Sequence, residues 1–409
     1  MEKRKLYVGL ELGTKYALLS YSTIGMEEPD TFSQVHGSEI YQIPLALTKK
    51  RGLGQWCYGK EAIEAIERGE GEGCDRLFTR ALMAERIVIG QEEYEALELL
   101  ALFVKKIFQQ LHRFWGIFEI GCLTVTLRRL NRDNMQLVWD LVERLKIPKE
   151  NCRIIDHLES FYYYALNQRQ ELILHDMVLF DYSEANVLFC RLERNTKTAP
   201  QTVEPFEKDY GPLLGNKDIA FSDVVKDALA KKICSAVYLT GDGFDGDWMK
   251  QSLACLCSGR RVFLGKNLYV KGACYASVIR GQEKLWNYVY IGQHDMKMNL
   301  CIKVMDRGEL LFYPLIRAGE NCFEAKHSCE ILLDGGKTID FWMQNPNSRE
   351  AKIESLELTD LPERPPRMSR IRIQAEAVSD QEVQLLIRDM GFGELYRSSE
   401  KSWNYQMKL

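Results

Sequence analysis

Apolar residues recur at two different periods along this chain, and the change of period marks its organisation. Leu6, Val8, Leu10 and Leu12 alternate with other residues, which predicts a half-buried strand, and residues 6–24 predict a hairpin of two strands. Tyr94, Leu97, Leu100, Ala101, Val104, Ile107, Phe108 and Leu111 return instead at three- and four-residue steps, so residues 91–115 predict the best helix. Between these, a helix is expected at the end of segment 52–68, and Gly69 to Gly73 reads as an exposed turn. Beyond them come a strand over 122–127, a helix over 131–146 stopped before Pro148, a short strand from Arg153, and an apolar helical stretch over 161–166.

Residues 176–191 predict two strands around a turn, and the charged stretch from Glu193 to Gly215 predicts a loop. A helix over 222–232, a buried strand over 236–240 and helices over 248–257 and 270–279 follow. After about Gly281 helical spacing ends, and short alternating runs take over: 300–304, 310–315, 330–333, 339–343, 353–358, 371–375 and 383–387. Turns such as Asp334-Gly335-Gly336 separate them, as in an all-β sandwich. The division is therefore an α/β part over 1–281 and a β part over 282–409.

Bulk composition narrows the function classes. A chain of 409 residues, 46% hydrophobic and 27% charged, has ample apolar material for more than one core. The net charge is −4 without a basic stripe, so no nucleic-acid partner is expected. Charged residues interrupt every apolar run of spanning length, so no membrane partner is expected either. Glu11 breaks what would be a signal core, and the cytoplasm is the expected compartment. The 12 cysteines are scattered rather than spaced for zinc or redox pairs, and read as buried thiols.

Candidate chemistry begins at Val8-Gly9-Leu10-Glu11-Leu12-Gly13-Thr14-Lys15, where a carboxylate precedes a Gly-Thr turn. Such a turn lets backbone N–H groups approach a phosphate while the carboxylate holds a hydrated cation. Leu179-Phe180-Asp181 leads into a second turn, and Tyr238-Leu239-Thr240-Gly241-Asp242-Gly243 into a third. With Tyr58-Gly59-Lys60-Glu61-Ala62, the helix at 269–276 and the β order from Ile353 to Gly393, this set resembles the 70-kilodalton heat-shock chaperone family.

The resemblance implies an α/β actin-like ATPase fold of two lobes with ribonuclease-H-like sheets, followed by a sandwich like the family's peptide-binding β domain. It implies ATP or ADP with Mg²⁺ as cofactors. Glu11, Gly13, Thr14, Lys15, Asp181, Gly241, Asp242 and Gly243 would line the nucleotide, and Glu11 and Asp181 would hold the magnesium through water. The chain ends at Leu409, which leaves no room for the family's helical lid, and the short segment from Cys190 to Ala236 implies a reduced outer subdomain.

Departures from the pattern bear on the chemistry. After Asp181 the family needs glycines, because backbone must touch the phosphates; here Tyr182-Ser183-Glu184-Ala185-Asn186 intervenes. A carboxylate about 4 Å from a triphosphate costs about 1 to 4 kcal/mol, depending on screening. Lys15 stands for the family's second threonine, His157 for its connecting acid and Asp242 for a glycine. No lysine takes the catalytic place: Lys60 lies in another element, and neither Arg76 nor Arg80 is a clear substitute. The expectation is a non-hydrolysing homologue that binds a protein or peptide, with no catalytic residue assigned. The alternatives are a divergent ATPase that uses Glu11, Asp181 and Lys15, and a sugar-kinase relative, against which the β-rich tail argues.

Overall fold

The leucines of the first strand are buried, but so is the opposite side. Over Arg4–Leu12 the side chains of Leu6, Tyr7, Val8, Leu10 and Leu12 are all at most 2% exposed. The half-buried strand expected from alternation is thus a central strand covered on both faces. The covering element is the Leu268–Gly281 helix: Ser277 donates to the Val8 carbonyl at 2.7 Å. A Cβ on Gly9 would stand 2.4 Å from the Val270 carbonyl oxygen, so only glycine permits this approach.

The computed structural model describes residues 4–34, 37–52, 54–230, 233–348 and 350–409, without the side chains of 113 and 114. Two compact units divide the chain, the first from Met1–Glu193 with Pro205–Trp286, the second from Arg194–Glu204 with Asn287–Leu409. Helices and strands are mixed in the first unit; strands alone dominate the second.

In the first unit one sheet runs, edge to edge, Cys152–Asp156, Phe118–Leu127, Arg4–Leu12, Tyr16–Ser22 and Asp30–Thr31. Its first three strands are mutually parallel and the next two antiparallel. A second sheet repeats the plan with Arg261–Leu264, Cys234–Thr240, Asp176–Ser183, Asn186–Asn195 and Gln201–Gly211, again with three parallel strands and then an antiparallel one. Helices recur at matching places. In chain order Ala96–Trp115, Arg132–Arg144 and His157–Leu166 alternate with strands of the first sheet, and Lys217–Ala228, Gln251–Leu256 and Leu268–Gly281 come at the same points among strands of the second, although the last packs on the first sheet. The two helices that end these halves cross closely, since a Cβ on Gly272 would stand 1.9 Å from the Ser160 carbonyl oxygen.

Several local expectations are corrected. Gly71–Cys74 is a strand paired with Leu47–Lys50, not an exposed turn. A Cβ on Gly73 would lie 2.1 Å from the Leu47 oxygen, so these glycines serve close strand packing. Tyr94 belongs to a hairpin of Arg86–Ile89 with Glu92–Glu95, and the long helix starts at Ala96 behind a Glu95–Glu98 capping box. The stretch from Glu193 to Gly215 holds the whole of the Gln201–Gly211 strand rather than a loop. The helix expected over 222–232 begins earlier, at Lys217, because Asn216 accepts from the Asp218 and Ile219 amides. Lys231 and Lys232 lie outside the described residues.

The second unit closes two antiparallel four-stranded sheets over one core. Their orders are Glu309–Ile316, Asn299–Asp306, Thr338–Gln344, Ala351–Glu357, and Lys326–Leu333, Ser369–Ser379, Glu382–Gly391, Ser402–Lys408. Leu300, Ile302 and Phe341 from one sheet pack with Ile371, Ile373, Leu385 and Ile387 from the other. A buried Arg364–Asp389 pair, bidentate at 2.7 Å, ties the 362–365 segment to this core.

Candidate functional site

The two carboxylates singled out by the sequence come together, one from each sheet of the first unit. Glu11 sits near the end of its strand, beside Thr126 in register; Asp181 occupies the corresponding place in the second sheet, beside Thr240. Each precedes a hairpin turn. Gly13 donates to the Tyr16 carbonyl at 2.9 Å in the first, while Glu184 and Ala185 form the second with φ of 53° and 60°. That left-handed pair is a turn that favours glycine, held here by side-chain-bearing residues. Glu184 is anchored by an ion pair to Arg128.

Two rings fill the space between the carboxylates. Asp156 caps the His157–Leu166 helix by accepting from the Glu159 amide at 2.7 Å, which sets His157 in the first turn. His157 Nε2 lies 3.4 Å from Glu11 Oε1 and makes no hydrogen bond. The Tyr269 ring stacks on the imidazole with centroids 3.9 Å apart and planes at 17°. Its hydroxyl donates to Asp181 Oδ2 at 2.8 Å, and Ser183 donates to Oδ1 at 2.5 Å.

Burial governs the charges. It pushes Glu11 up to about 8, with the nearby Asp181 carboxylate adding to the effect. It pushes His157 down to about 3, helped by the positive charge of Arg128. Asp181 is raised by burial against the opposing hydrogen bonds of Ser183 and Tyr269. At neutral pH Glu11 is therefore mostly a neutral acid beside a neutral imidazole.

The remaining sequence candidates lie around this cluster or away from it. Thr14 and Lys15 are exposed in the first turn, and Asp242 is exposed in the third. Gly241, with φ of 105°, and Gly243 are reserved for Tyr182: added Cβ atoms would stand 2.4 Å from its carbonyl oxygen and 2.3 Å from its ring. A hydrated magnesium and a triphosphate do not suit this donor set. Both Asp181 oxygens already accept hydrogen bonds, and Tyr182 covers the third turn. Tyr269 and Tyr182 were not foreseen as site residues. No local signal marks them, because their helix and strand patterns are those of packing residues.

In the second unit, the outward face of the Asn299–Asp306 sheet carries a cluster of exposed apolar side chains among polar ones. Lys303 stands opposite Phe312, Met305 opposite Leu310 and Trp342 opposite Ile353. Met305, Leu310, Phe312 and Ile353 are 63%, 58%, 53% and 48% exposed. Phe312 meets Trp342 edge to face, and the Lys303 ammonium lies 5.8 Å from the Trp342 ring centre. Exposed aromatic and aliphatic side chains grouped on one sheet face are the kind of surface that binds partners.

All twelve cysteines are free thiols, most of them buried. Among the described residues no cluster of three metal-ligating side chains occurs, and no helix is long and apolar enough to cross a membrane. Residues 28–293 match a family described as "Family of unknown function (DUF5716) C-terminal", and residues 295–409 match "Domain of unknown function (DUF8552)". No curated protein matches the chain.

Proposed function

This chain belongs to the DUF5716 C-terminal family, and we propose that it is a heat-shock-chaperone-like binding protein whose actin-type ATPase framework does not hydrolyse nucleotide. One observation carries the proposal: His157 and Tyr269 stack between Glu11 and Asp181, with Tyr269 bonded to the carboxylate a magnesium ion would need. The repeated sheet plan of the first unit supports the actin-type framework. The exposed apolar cluster on that sheet face of the second unit supports a peptide or protein partner, held by side-chain contact there and by main-chain pairing at the open edges.

Thermal unfolding with Mg-ATP at about 5 mM tests the first part, with no change in melting temperature expected. A rise of several degrees together with phosphate release from ATP, both lost in Glu11→Ala and Asp181→Ala, would overturn it. That result would favour a divergent ATPase, a reading that draws on the convergence of the same two carboxylates. For the second part, fluorescence anisotropy with an extended apolar peptide is expected to report binding that Phe312→Glu weakens at least tenfold, which is about 1.4 kcal/mol. Unchanged binding by that variant would remove the sheet face from the proposal.

A further inference from the structure

Away from the carboxylate cluster, the first unit carries an open surface depression of about 620 Å³. It opens where the strands Arg4–Leu12 and Phe118–Leu127 begin and where the helices Arg132–Arg144 and Leu268–Gly281 end. That volume is within the range of small-molecule sites. Lys5 and Glu119 on its wall face each other at 3.9 Å. The other charges do not pair with each other: among the described residues Lys146 and Arg280 meet no carboxylate, and Glu150 and Glu283 meet no cation within 4 Å, and all four line the same depression exposed to solvent. Arg280 is fixed by donating to the Glu150 carbonyl at 3.1 Å.

Lys146 and Glu283 stand just past the two helix ends with φ of 59° and 49°. Glycine is the default there, because a Cβ strains the left-handed backbone. A lysine and a glutamate at these two places bring opposite charges into one depression at a conformational cost. Ile147 and Pro148 add an apolar wall.

We infer that this depression binds a zwitterion of about dipeptide size, with its carboxylate on Lys146 and Arg280 and its ammonium on Glu150 and Glu283. A simple anion would meet the two free glutamates, and a simple cation the two free basic groups, so neither satisfies the wall alone.

Thermal unfolding with alanyl-alanine at about 10 mM tests this, and a rise of about 2 °C is expected. N-acetyl-alanyl-alanine and alanyl-alanine amide each lack one charge and are expected to give less than half that rise. Lys146→Gly and Glu283→Gly remove a charge while relieving the backbone, so both variants fold, and each is expected to abolish most of the effect. Absence of any rise in the wild-type protein overturns the inference. So does an equal rise with either blocked dipeptide, or a rise that persists in both glycine variants.

Discussion

Glu11 and His157 are a buried acid and base whose titrations oppose each other. Glu11 moves from 4.5 to about 8 on folding, so the unfolded chain loses its proton first and stability falls as pH rises through that window. His157 moves from 6.5 to about 3, so the unfolded chain gains its proton first and stability falls as pH drops through that window. From pH 4.5 to 6.5 the two slopes cancel, and the pair contributes a plateau. Above it, stability is expected to fall by about 1.4 kcal/mol per pH unit until near pH 8. Urea midpoints against pH measure this. Glu11→Gln is expected to flatten the alkaline side; an unchanged alkaline slope would show that Glu11 is not the group responsible. The strand-turn pattern and the family resemblance located Glu11 and Asp181 in the sequence, but they could not supply their ionisation, which depends on burial beside His157 and Tyr269.

At the scale of elements, the crossing of the His157–Leu166 and Leu268–Gly281 helices holds the two sheets' helical layers together. Gly272→Ala would drive a methyl into the Ser160 backbone, where no side chain can turn aside. A loss of about 3 kcal/mol is expected from chemical unfolding. A loss below about 1 kcal/mol would mean that the helices separate easily. Helix 96–115 was legible because its apolar stripe has a single period, and only its start was misplaced by Tyr94. Gly71–Cys74 was illegible for the opposite reason: glycines signal turns in a sequence, and only the backbone of Leu47–Lys50 explains them. Trp403, Tyr405 and Met407 do alternate within Ser402–Lys408, yet a single short run carries little weight without the neighbouring strand it pairs with.

Over the whole molecule, contacts between residues distant in sequence fix what local patterns leave open. Asp389 accepts from Arg364, Gly391 and Ser399 while fully buried. Burial alone would raise its carboxyl, but these bonds hold it well below the ordinary range. Asp389→Ala leaves the Arg364 guanidinium buried and unpaired, so a loss of about 3 to 5 kcal/mol is expected in the unfolding of the second unit. Replacing both residues together with apolar ones is expected to recover much of that loss; failure to recover would assign the stability to packing around Asp389 rather than to the pair.

By itself the sequence determined the longer helices and many of the strands, the change from mixed to all-β texture near residue 281, and the two carboxylates at the ends of strands. Period and turn chemistry act within a few residues, so a linear reading captures them. Tertiary structure alone decided that Tyr269 and His157 stack beside Glu11 and Asp181, and that unpaired charges line the depression near Arg280. Those outcomes depend on which side chains meet across more than a hundred residues of chain, and on the loss of water that sets their charge.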